Sequence, residues 1–592
     1  MSIWNRIIPR PKIVHDAEGT CLLPAVLTVA PLPGARGFDD TTGYRKRIER
    51  INAAAMRILS RSIPLFALAD EREQATITID YRTELTQAYR ITVESEGITI
   101  EVRENGDIAP ALAVIVQGLL LASSDAVGRD GRAGGTDDDA PTHPGSRRRA
   151  GDGAAGRETA AAITTPYLIL PGAVIEDASE TEWRGFMLDV ARHFAPVESL
   201  DRIVDLLWLF RLNRFHLHLT DDQGWRFVVP GYPRLTEIGA WRPAGTSDNQ
   251  IAGGFYSPDE LRTLDEGCRL LGITVVPEVD LPGHASAAFA AYPELSCTGG
   301  TWHVETRWGI FPSVLCASDE GVAPFLDAVF ASIADTFSGP YIHIGGDEVP
   351  PEPWTTCPRC RELSDPYQAI VRRIADTVVS LGRRPVVWDE ASALDLPPGT
   401  IVVNWRGPEG ARNALAGGYD LVLAPEQRSA YLDHKHLDSP LEPGRIGVCT
   451  VADAAGFAPT HYAETRGVPV GVDRGGSVPG GISDRRGSVP GGIDGGAASG
   501  NSGASGPTGP GGAAAGPPSP GTILGGQGNL WTEGVHYHRE IEYMAIVRLA
   551  AIAEGLWSGR PAADSTRFFE DLDTLRRCLS DNGYNVYPGT FR

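Results

Sequence analysis

The chain is 592 residues long, 42% of them hydrophobic, and carries a formal net charge of −22 at pH 7. This length exceeds one ordinary domain and predicts two, and the negative charge argues against nucleic acid or an anionic membrane as a partner. No stretch approaches the roughly 20 apolar residues that span a bilayer, and the N-terminal sequence lacks the features of a signal peptide. A cytoplasmic location is therefore expected.

The first part of the chain predicts a small α+β domain. Residues 75–81 (ATITIDY) and 89–102 (YRITVESEGITIEV) alternate apolar and polar side chains, with a turn at Glu96–Gly97, as antiparallel strands do. The apolar stretch at 110–122 predicts a helix packed on that sheet. We therefore assign residues 1–178 to an N-terminal accessory domain.

Two segments, at about 126–162 and about 466–521, have a composition that does not suit a folded core. Both are rich in glycine and poor in aromatic residues. Because neither can bury enough apolar surface to offset the loss of chain entropy, both are predicted to be mobile insertions.

From Trp183 onward, short apolar runs that end in polar or aromatic residues alternate with helical stretches. This alternation is typical of parallel strands joined by helices, and eight such runs suit a closed (β/α)8 barrel. The fold class is therefore predicted as α/β, a TIM barrel over residues 179–592. The eight predicted strands are 186–190, 214–222, 273–280, 341–348, 385–390, 401–407, 420–425 and 522–533.

Carboxylates and tryptophans gather at the predicted carboxyl ends of these strands, where barrel enzymes carry their active sites. Glycosidic oxygens leave poorly unless a carboxylic acid protonates them, and tryptophan faces pack against sugar rings. The adjacent pair Asp347–Glu348 follows two glycines, whose backbone freedom lets both side chains reach one cavity. The pattern predicts sugar hydrolysis by residues among Asp189, Asp221, Asp280, Asp347, Glu348, Glu390, Glu533, Trp388, Trp405 and Trp531.

The eight cysteines are too sparse for a disulfide scaffold, and most are expected to be reduced and buried. Cys357 and Cys360 form one CxxC pair. A structural zinc site would need two more ligands at matching spacing. Because the sequence has no second CxxC, it predicts no metal site.

The segment HIGGDE at 343–348 resembles the catalytic signature of glycoside hydrolase family 20, the β-N-acetylhexosaminidases. The resemblance covers roughly residues 179–560, and IIPRPK at 7–12 resembles the accessory domain of that family. Other segments that resemble its sequence blocks, in its order, are RGFMLDVARHF (184–194), NRFHLHLTDDQGWR (213–226), VVPEVDLPGHA (275–285), VVWDE (386–390), YLD (431–433) and GGQGNLWTE (525–533).

The resemblance implies an exo-acting, retaining hydrolase that needs no cofactor and releases terminal β-linked GlcNAc or GalNAc from glycans. In this family the 2-acetamido oxygen of the substrate attacks the anomeric carbon and forms an oxazolinium intermediate, so no enzyme nucleophile is required. Glu348 would protonate the leaving oxygen and later activate water. Asp347 would hold the acetamido N–H and stabilise the developing positive charge. Because Asp347 lies beside it, the pKa of Glu348 is predicted to be raised.

The resemblance also implies the residues that bind and support the substrate. A tyrosine would donate to the acetamido carbonyl, tryptophans would form the walls, and Arg184, Asp433 and Glu533 would hold sugar hydroxyls and restrict binding to a chain end. The complete substrate-binding set is Arg184, Trp388, Trp405, Tyr431, Asp433, Trp531 and Glu533. Asp221 and His284 would hydrogen-bond towards the acid, with His343 as a further supporting residue.

Cys297 and Cys316 resemble a pair that is bridged in secreted members of the family. Since no export signal is recognised, both are expected to be reduced. The sequence makes no prediction of oligomeric state, nor of a preference between GlcNAc and GalNAc. The excess of arginine over lysine is typical of a GC-rich bacterial genome.

Three alternatives remain. The pair His216 and His218 resembles the metal ligands of metal-dependent hydrolases, although no lysine lies on a predicted barrel strand to bridge two metal ions. A catalytically silent glycan-binding protein would need a broken site, yet Asp347 and Glu348 are both present. A lacto-N-biosidase-type enzyme, which releases a disaccharide, would require a larger pocket.

Overall fold

The computed structural model describes residues 2–30, 41–60, 65–69, 75–130, 168–244, 250–318, 320–426, 429–470 and 520–591. Most of the two predicted insertions, residues 131–162 and 471–519, therefore lies outside the described residues. The first insertion was predicted to begin at about 126, but the chain remains helical through Asp130.

The N-terminal region forms one sheet of seven strands. They are β1 (Ile13–Leu23), β2 (Leu27–Ala30), β3 (Phe66–Leu68), β4 (Ile77–Tyr81), β5 (Tyr89–Glu94), β6 (Gly97–Val102) and β7 (Leu168–Asp177), in the spatial order β1-β7-β5-β6-β4-β2-β3. The predicted hairpin is present as β5 and β6, which pair antiparallel. The sheet is mixed rather than purely antiparallel, because β4 pairs parallel with β6.

Two helices, α1 (Thr41–Ile58) and α2 (Ile108–Asp130), accompany this sheet. The segment Asn105–Ser124 is long and apolar enough to cross a membrane by composition alone, but 78% of it is buried inside the protein. Apolar residues on every side of a helix suit a position between a sheet and other helices. This segment is therefore the core helix that the sequence predicted at 110–122.

The following region alternates further strands with helices. The strands are β8 (Trp183–Asp189), β9 (Arg214–His218), β10 (Thr220–Asp221), β11 (Gly224–Trp225), β12 (Trp241–Pro243), β13 (Ile251–Gly253), β14 (Thr274–Glu278), β15 (Tyr341–His343), β16 (Arg384–Trp388), β17 (Ile401–Asn404), β18 (Asp420–Leu423), β19 (His434–Lys435), β20 (Arg445–Val448) and β21 (Ile523–Leu530). The helices are α3 (Val197–Leu209), α4 (Arg234–Glu237), α5 (Pro258–Leu270), α6 (Ser286–Ala291), α7 (Val322–Thr336), α8 (Glu352–Thr356), α9 (Pro366–Ser380), α10 (Pro408–Ala416), α11 (Val451–Ala455), α12 (Pro459–Thr465), α13 (His538–Ser558) and α14 (Thr566–Asp581).

Strands β8, β9, β14, β15, β16, β17, β18 and β21 close into a parallel barrel, which confirms the predicted fold. Each corresponds to one predicted run, but most end earlier than predicted. The run at 341–348, for example, leaves the barrel at His343, because Gly345 and Gly346 adopt φ angles of +74° and +95°. The residues beyond the paired strands form the loops that carry the candidate site.

A buried carboxylate joins the N-terminal sheet to the barrel. Asp177, the last residue of β7, is fully buried and accepts hydrogen bonds of 2.9 Å from the Tyr89 hydroxyl and from Trp557 Nε1. The Arg211 guanidinium also donates to it. The boundary predicted at residue 178 falls in the short connection between β7 and β8.

Candidate active site

A pocket opens at the carboxyl ends of the barrel strands. Its lining residues are Arg192, Asp347, Glu348, Trp388, Trp405, Tyr431, Arg445, Trp531 and Glu533. The structure therefore brings together the predicted catalytic pair and five of the seven predicted substrate-binding residues. Asp433 lies just behind the wall, where its Oδ2 accepts a 2.8 Å hydrogen bond from Arg445 Nε.

The turn after β15 places both acidic side chains in this pocket. A Cβ atom on Gly345 would lie 1.8 Å from Oδ1 of Asp280, so only glycine fits there. Glu348 itself adopts φ +47°, a conformation that is uncommon for a residue with a side chain. These unusual angles let two consecutive residues face one cavity, as the Gly-Gly-Asp-Glu sequence predicted.

A buried histidine faces both acidic side chains. His284 Nε2 lies 3.8 Å from Oδ2 of Asp347 and 3.8 Å from Oε2 of Glu348. Its Nδ1 lies 3.3 Å from Asp221 and 3.2 Å from Asp222. Although burial disfavours the imidazolium, the Asp221 carboxylate raises the pKa of His284 well above its usual value. The predicted supporting residues Asp221 and His284 thus form a chain that leads to the catalytic pair.

Burial, and then the neighbouring Asp347 carboxylate, raise the pKa of Glu348. This direction agrees with the sequence-based prediction. About a third of the Glu348 side chain, 36%, is exposed, whereas Asp347 is 11% exposed. A partly exposed carboxyl that holds its proton above its usual pH range suits a general acid.

Aromatic side chains form the walls of the pocket. The rings of Trp388 and Trp531 lie 5.8 Å apart with an interplanar angle of 42°, and those of Trp405 and Tyr431 lie 6.3 Å apart with an angle of 29°. The Nε1 atom of Trp405 donates a 3.1 Å hydrogen bond to Glu390. Flat apolar faces held in this way match the apolar face of a pyranose ring.

Among the described residues, three of the acidic residues that were predicted to contact the substrate keep a buried oxygen atom without a hydrogen-bond partner. These atoms are Oδ1 of Asp347, Oδ1 of Asp433 and Oε2 of Glu533. Burial raises the pKa of Asp433 to about 6 even though Arg445 opposes the shift. Buried polar atoms normally have partners, so these oxygens indicate positions for donors of a bound ligand.

A further buried carboxylate, Glu278 at the end of β14, lies beneath the pocket. Its Oε2 contacts His216 Nε2 at 2.9 Å and His218 Nδ1 at 2.5 Å, and its Oε1 lies 3.1 Å from Nδ1 of the predicted supporting residue His343. Trp388 Nε1 donates to the same Oε1 atom at 2.7 Å. Sequence reasoning missed Glu278, although an acidic residue inside an apolar strand was a usable signal.

These contacts bear on the alternative of a metal-dependent hydrolase. The second nitrogen of His216 accepts from Gln527 Nε2 at 3.1 Å, and that of His218 contacts Asp221 at 2.9 Å. Both nitrogens of each ring are therefore engaged by protein groups. The arrangement favours a buried hydrogen-bond network over a catalytic metal pair at these two histidines.

Arg184, which was predicted to bind substrate, does not line this pocket. Arg184 lies at the amino end of β8, away from the pocket, where its Nη1 donates to Thr181 O at 2.6 Å and its guanidinium packs over the Trp557 ring at 5.0 Å. The carboxyl ends of barrel strands carry the site, and the second residue of a strand cannot reach them.

Arg192, which follows the carboxyl end of β8, lines the pocket in its place. It donates to Asp189 at 3.3 Å, pairs with Asp221 at 2.7 Å, and lies 5.1 Å from the Trp531 ring centroid. Although burial disfavours its charge, Asp221 and Asp189 raise the pKa of Arg192. Sequence reasoning missed this residue although it lies within the quoted segment 184–194.

The family model described as "Glycosyl hydrolase family 20, catalytic domain" matches residues 182–478 and 502–560. A "Beta-hexosaminidase" from Porphyromonas gingivalis is 32% identical over 434 residues, which are 71% of this chain and 48% of that protein. This chain thus spans about half the length of that relative. A "Beta-hexosaminidase" from Akkermansia muciniphila is 34% identical over 411 residues, which are 67% of this chain and 78% of that protein.

A solved structure matches nearly the whole length of this chain. The GH20 exo β-N-acetylglucosaminidase from Vibrio harveyi, solved in complex with N-acetylglucosamine, superposes with a TM-score of 0.72 at 25% identity, over 99% of this chain and 79% of that chain. The match extends through the N-terminal sheet as well as the barrel. Taken with the pocket geometry and the extent of the family match, these similarities show that the chain belongs to glycosyl hydrolase family 20.

Proposed function

We propose that this protein is an exo-acting β-N-acetylhexosaminidase, which releases a terminal β-linked N-acetylhexosamine from glycans with retention of configuration. The observation that supports this function most is the placement of Asp347 and Glu348 side by side in a tryptophan-walled pocket. The Vibrio harveyi relative is described as an exo-acting enzyme and was solved with N-acetylglucosamine, which supports the same class of substrate.

In the first step, protonated Glu348 donates its proton to the glycosidic oxygen as the bond to the anomeric carbon breaks. The acetamido oxygen of the same sugar attacks that carbon and forms an oxazolinium ion. The Asp347 carboxylate accepts a hydrogen bond from the acetamido N–H and stabilises the positive charge. Its unpartnered Oδ1 atom is available for this contact.

In the second step, Glu348 is a carboxylate and acts as a base. It removes a proton from water, whose oxygen attacks the anomeric carbon while the acetamido oxygen leaves. Two inversions at one carbon give net retention. His284, held by Asp221, places a positive charge near both carboxylates during this exchange.

Exo action is supported by polar groups that line the pocket or lie at its wall. Arg192 and Glu533 line it, and the Arg445–Asp433 pair lies at its wall. Such groups match hydroxyls of a terminal sugar, whereas a continuing glycan chain would need an open cleft. Polar groups in these positions favour release of a monosaccharide over the disaccharide expected of a lacto-N-biosidase-type enzyme.

The function is tested with p-nitrophenyl β-GlcNAc, β-GalNAc and β-glucose, and with a lacto-N-biose substrate. Wild type should cleave the acetamido sugars and refuse the glucoside. Glu348→Gln should lower kcat by about 10²–10⁴-fold, the usual contribution of a general acid, whereas Glu362→Gln, on the exposed surface, should match wild type.

Product stereochemistry tests the mechanism separately. The first-formed sugar should be the β-anomer in an NMR time course, and a thiazoline analogue of the oxazolinium ion should inhibit. Cleavage of the glucoside at a similar rate would contradict substrate assistance. Release of disaccharide alone would favour the lacto-N-biosidase type, and an α-anomeric first product would exclude retention.

A further inference from the structure

Four cysteine side chains from two loops meet at one point beside the barrel. Cys297 and Cys316 belong to the loop that follows β14, residues 279–321, and Cys357 and Cys360 belong to the loop that follows β15, residues 344–365. The Sγ atoms are 3.5 Å apart for Cys316 and Cys360, 3.7 Å for Cys297 and Cys360, and 3.9 Å for Cys316 and Cys357. All four lie within 4.8 Å of one another.

These separations match a tetrahedral metal site. Zinc binds thiolate sulfur at about 2.3 Å, so tetrahedral geometry places any two of four sulfurs about 3.8 Å apart. A disulfide would instead require two sulfurs at about 2.05 Å. An iron–sulfur cluster would require its cysteine sulfurs to spread around an inorganic core, and so to lie farther apart.

We propose that Cys297, Cys316, Cys357 and Cys360 bind one structural zinc ion. Four thiolates are one of the usual ligand sets of zinc in closed, non-catalytic sites. Cys316, Cys357 and Cys360 are buried, while Cys297 is partly exposed and leaves a path for the ion to enter.

The backbone around the sulfurs suits this role. The N–H groups of Arg359 and Cys360 point to the Cys357 sulfur, and that of Ser318 points to Cys316. Hydrogen bonds of this kind stabilise thiolate ligands from the second coordination sphere. The N–H of Cys316 donates to Leu295 O at 2.9 Å, which holds Cys297 and Cys316 side by side.

The sequence analysis predicted no metal site because it looked for two CxxC pairs. Only Cys357 and Cys360 form such a pair. The other two cysteines are separated by a long segment, and the antiparallel pairing of Ser296 with Leu315 brings them together. The sequence resemblance had drawn attention to these two cysteines as a bridgeable pair, not as ligands.

A zinc ion here would fasten the two loops that carry the site. The first loop also contains His284, and the second contains Asp347 and Glu348. Near the cysteines the loops are joined by a 2.8 Å hydrogen bond from Trp354 Nε1 to Leu315 O. The ion therefore acts on catalysis by positioning and takes no part in the chemical step.

The test measures metal in the complete chain, purified without a chelator or an immobilised-metal step. Elemental analysis should find about one zinc per chain. The double variant Cys357→Ser/Cys360→Ser should lose it, and Cys21→Ala, at a buried cysteine in the N-terminal sheet, should retain it. Protein produced with cobalt should show the absorption bands of tetrahedral cobalt thiolate.

A second measurement uses wild type only, in case the double variant does not fold. A mercurial that attacks thiolates should release zinc, detected with a colorimetric indicator. In a separate sample, denatured with a chelator and without the mercurial, all eight cysteines should titrate as thiols. Metal-free protein with eight thiols, fewer thiols because of disulfides, or stoichiometric iron would each overturn the proposal. None of these readouts depends on glycosidase activity, so the zinc site and the proposed function can fail separately.

Discussion

Trp388 Nε1 donates a 2.7 Å hydrogen bond to Oε1 of Glu278, so one wall of the pocket is fixed to a carboxylate buried beneath it. Three imidazoles surround the same carboxylate. Although burial opposes ionisation, the histidines, with His218 foremost, hold the pKa of Glu278 well below its usual value. The negative charge of Glu278 is therefore part of what positions the aromatic wall.

We expect Glu278→Gln to lower the free energy of unfolding by about 3–5 kcal/mol, because it removes one partner of a buried charged pair. Although burial opposes the charge, Glu278 raises the pKa of His218, so the variant would deprive an imidazolium of one of its two carboxylate partners, the other being Asp221. Urea unfolding followed by circular dichroism measures this change. Glu266→Gln, at an exposed pair with Lys46, should differ from wild type by no more than about 1 kcal/mol. Equal effects of both variants would contradict the interpretation.

The pH profile of kcat/KM should fall on the alkaline side as Glu348 loses its proton. Burial and Asp347 raise the pKa of Glu348, so the active acid form persists above its usual range and is lost as pH rises through the raised value. Asp347→Asn removes the like charge and should move this alkaline limb to lower pH, whatever its effect on the maximal rate. An unchanged limb, or one moved to higher pH, would show that Asp347 does not set it.

Gly345→Ala should abolish most activity, because the new Cβ would lie 1.8 Å from Oδ1 of Asp280 and would displace the turn that carries the catalytic pair. Gly382→Ala is a matched control. It has nearly the same φ, +72° against +74°, yet its Cβ would meet nothing within 4 Å. Both variants incur backbone strain of about 1–2 kcal/mol, the cost of a side chain in the left-handed region, but only the first should lose kcat. Similar losses in both would assign the effect to backbone strain alone.

Arg192 and Arg184 should behave differently when each is changed to lysine. Arg192→Lys keeps the charge but loses the forked guanidinium in the pocket, so kcat/KM should fall about 10–100-fold, equivalent to about 1.4–2.8 kcal/mol. Arg184→Lys should leave KM unchanged and lower the melting temperature, because its contacts lie at the opposite end of the barrel. Steady-state kinetics and differential scanning fluorimetry measure these effects on both variants. A large fall in kcat/KM for Arg184→Lys with none for Arg192→Lys would show that Arg184, and not Arg192, binds the substrate.

The barrel could be predicted from the sequence because each strand is a local signal, an apolar run with a polar end. Asp347 and Glu348 could be placed for the same reason, since their position after β15 follows from the run that precedes them. Arg184 lies outside the pocket, and its assignment had not considered which end of the strand it occupies. Glu278 was missed because its partners come from β9, β15 and β16, and no local pattern shows contacts among separate strands.

The contacts of Asp177 make the small N-terminal sheet part of the structure that stabilises the barrel. Its carboxylate is shared by Tyr89 from the sheet and by Arg211 and Trp557 from the barrel side. If the chain were cut after residue 178, these donors would lose their common acceptor and a buried guanidinium would remain without its counter-ion. The sheet is therefore a part of the barrel's folding unit rather than a detachable module, and calorimetry of the whole chain should record one cooperative transition for both.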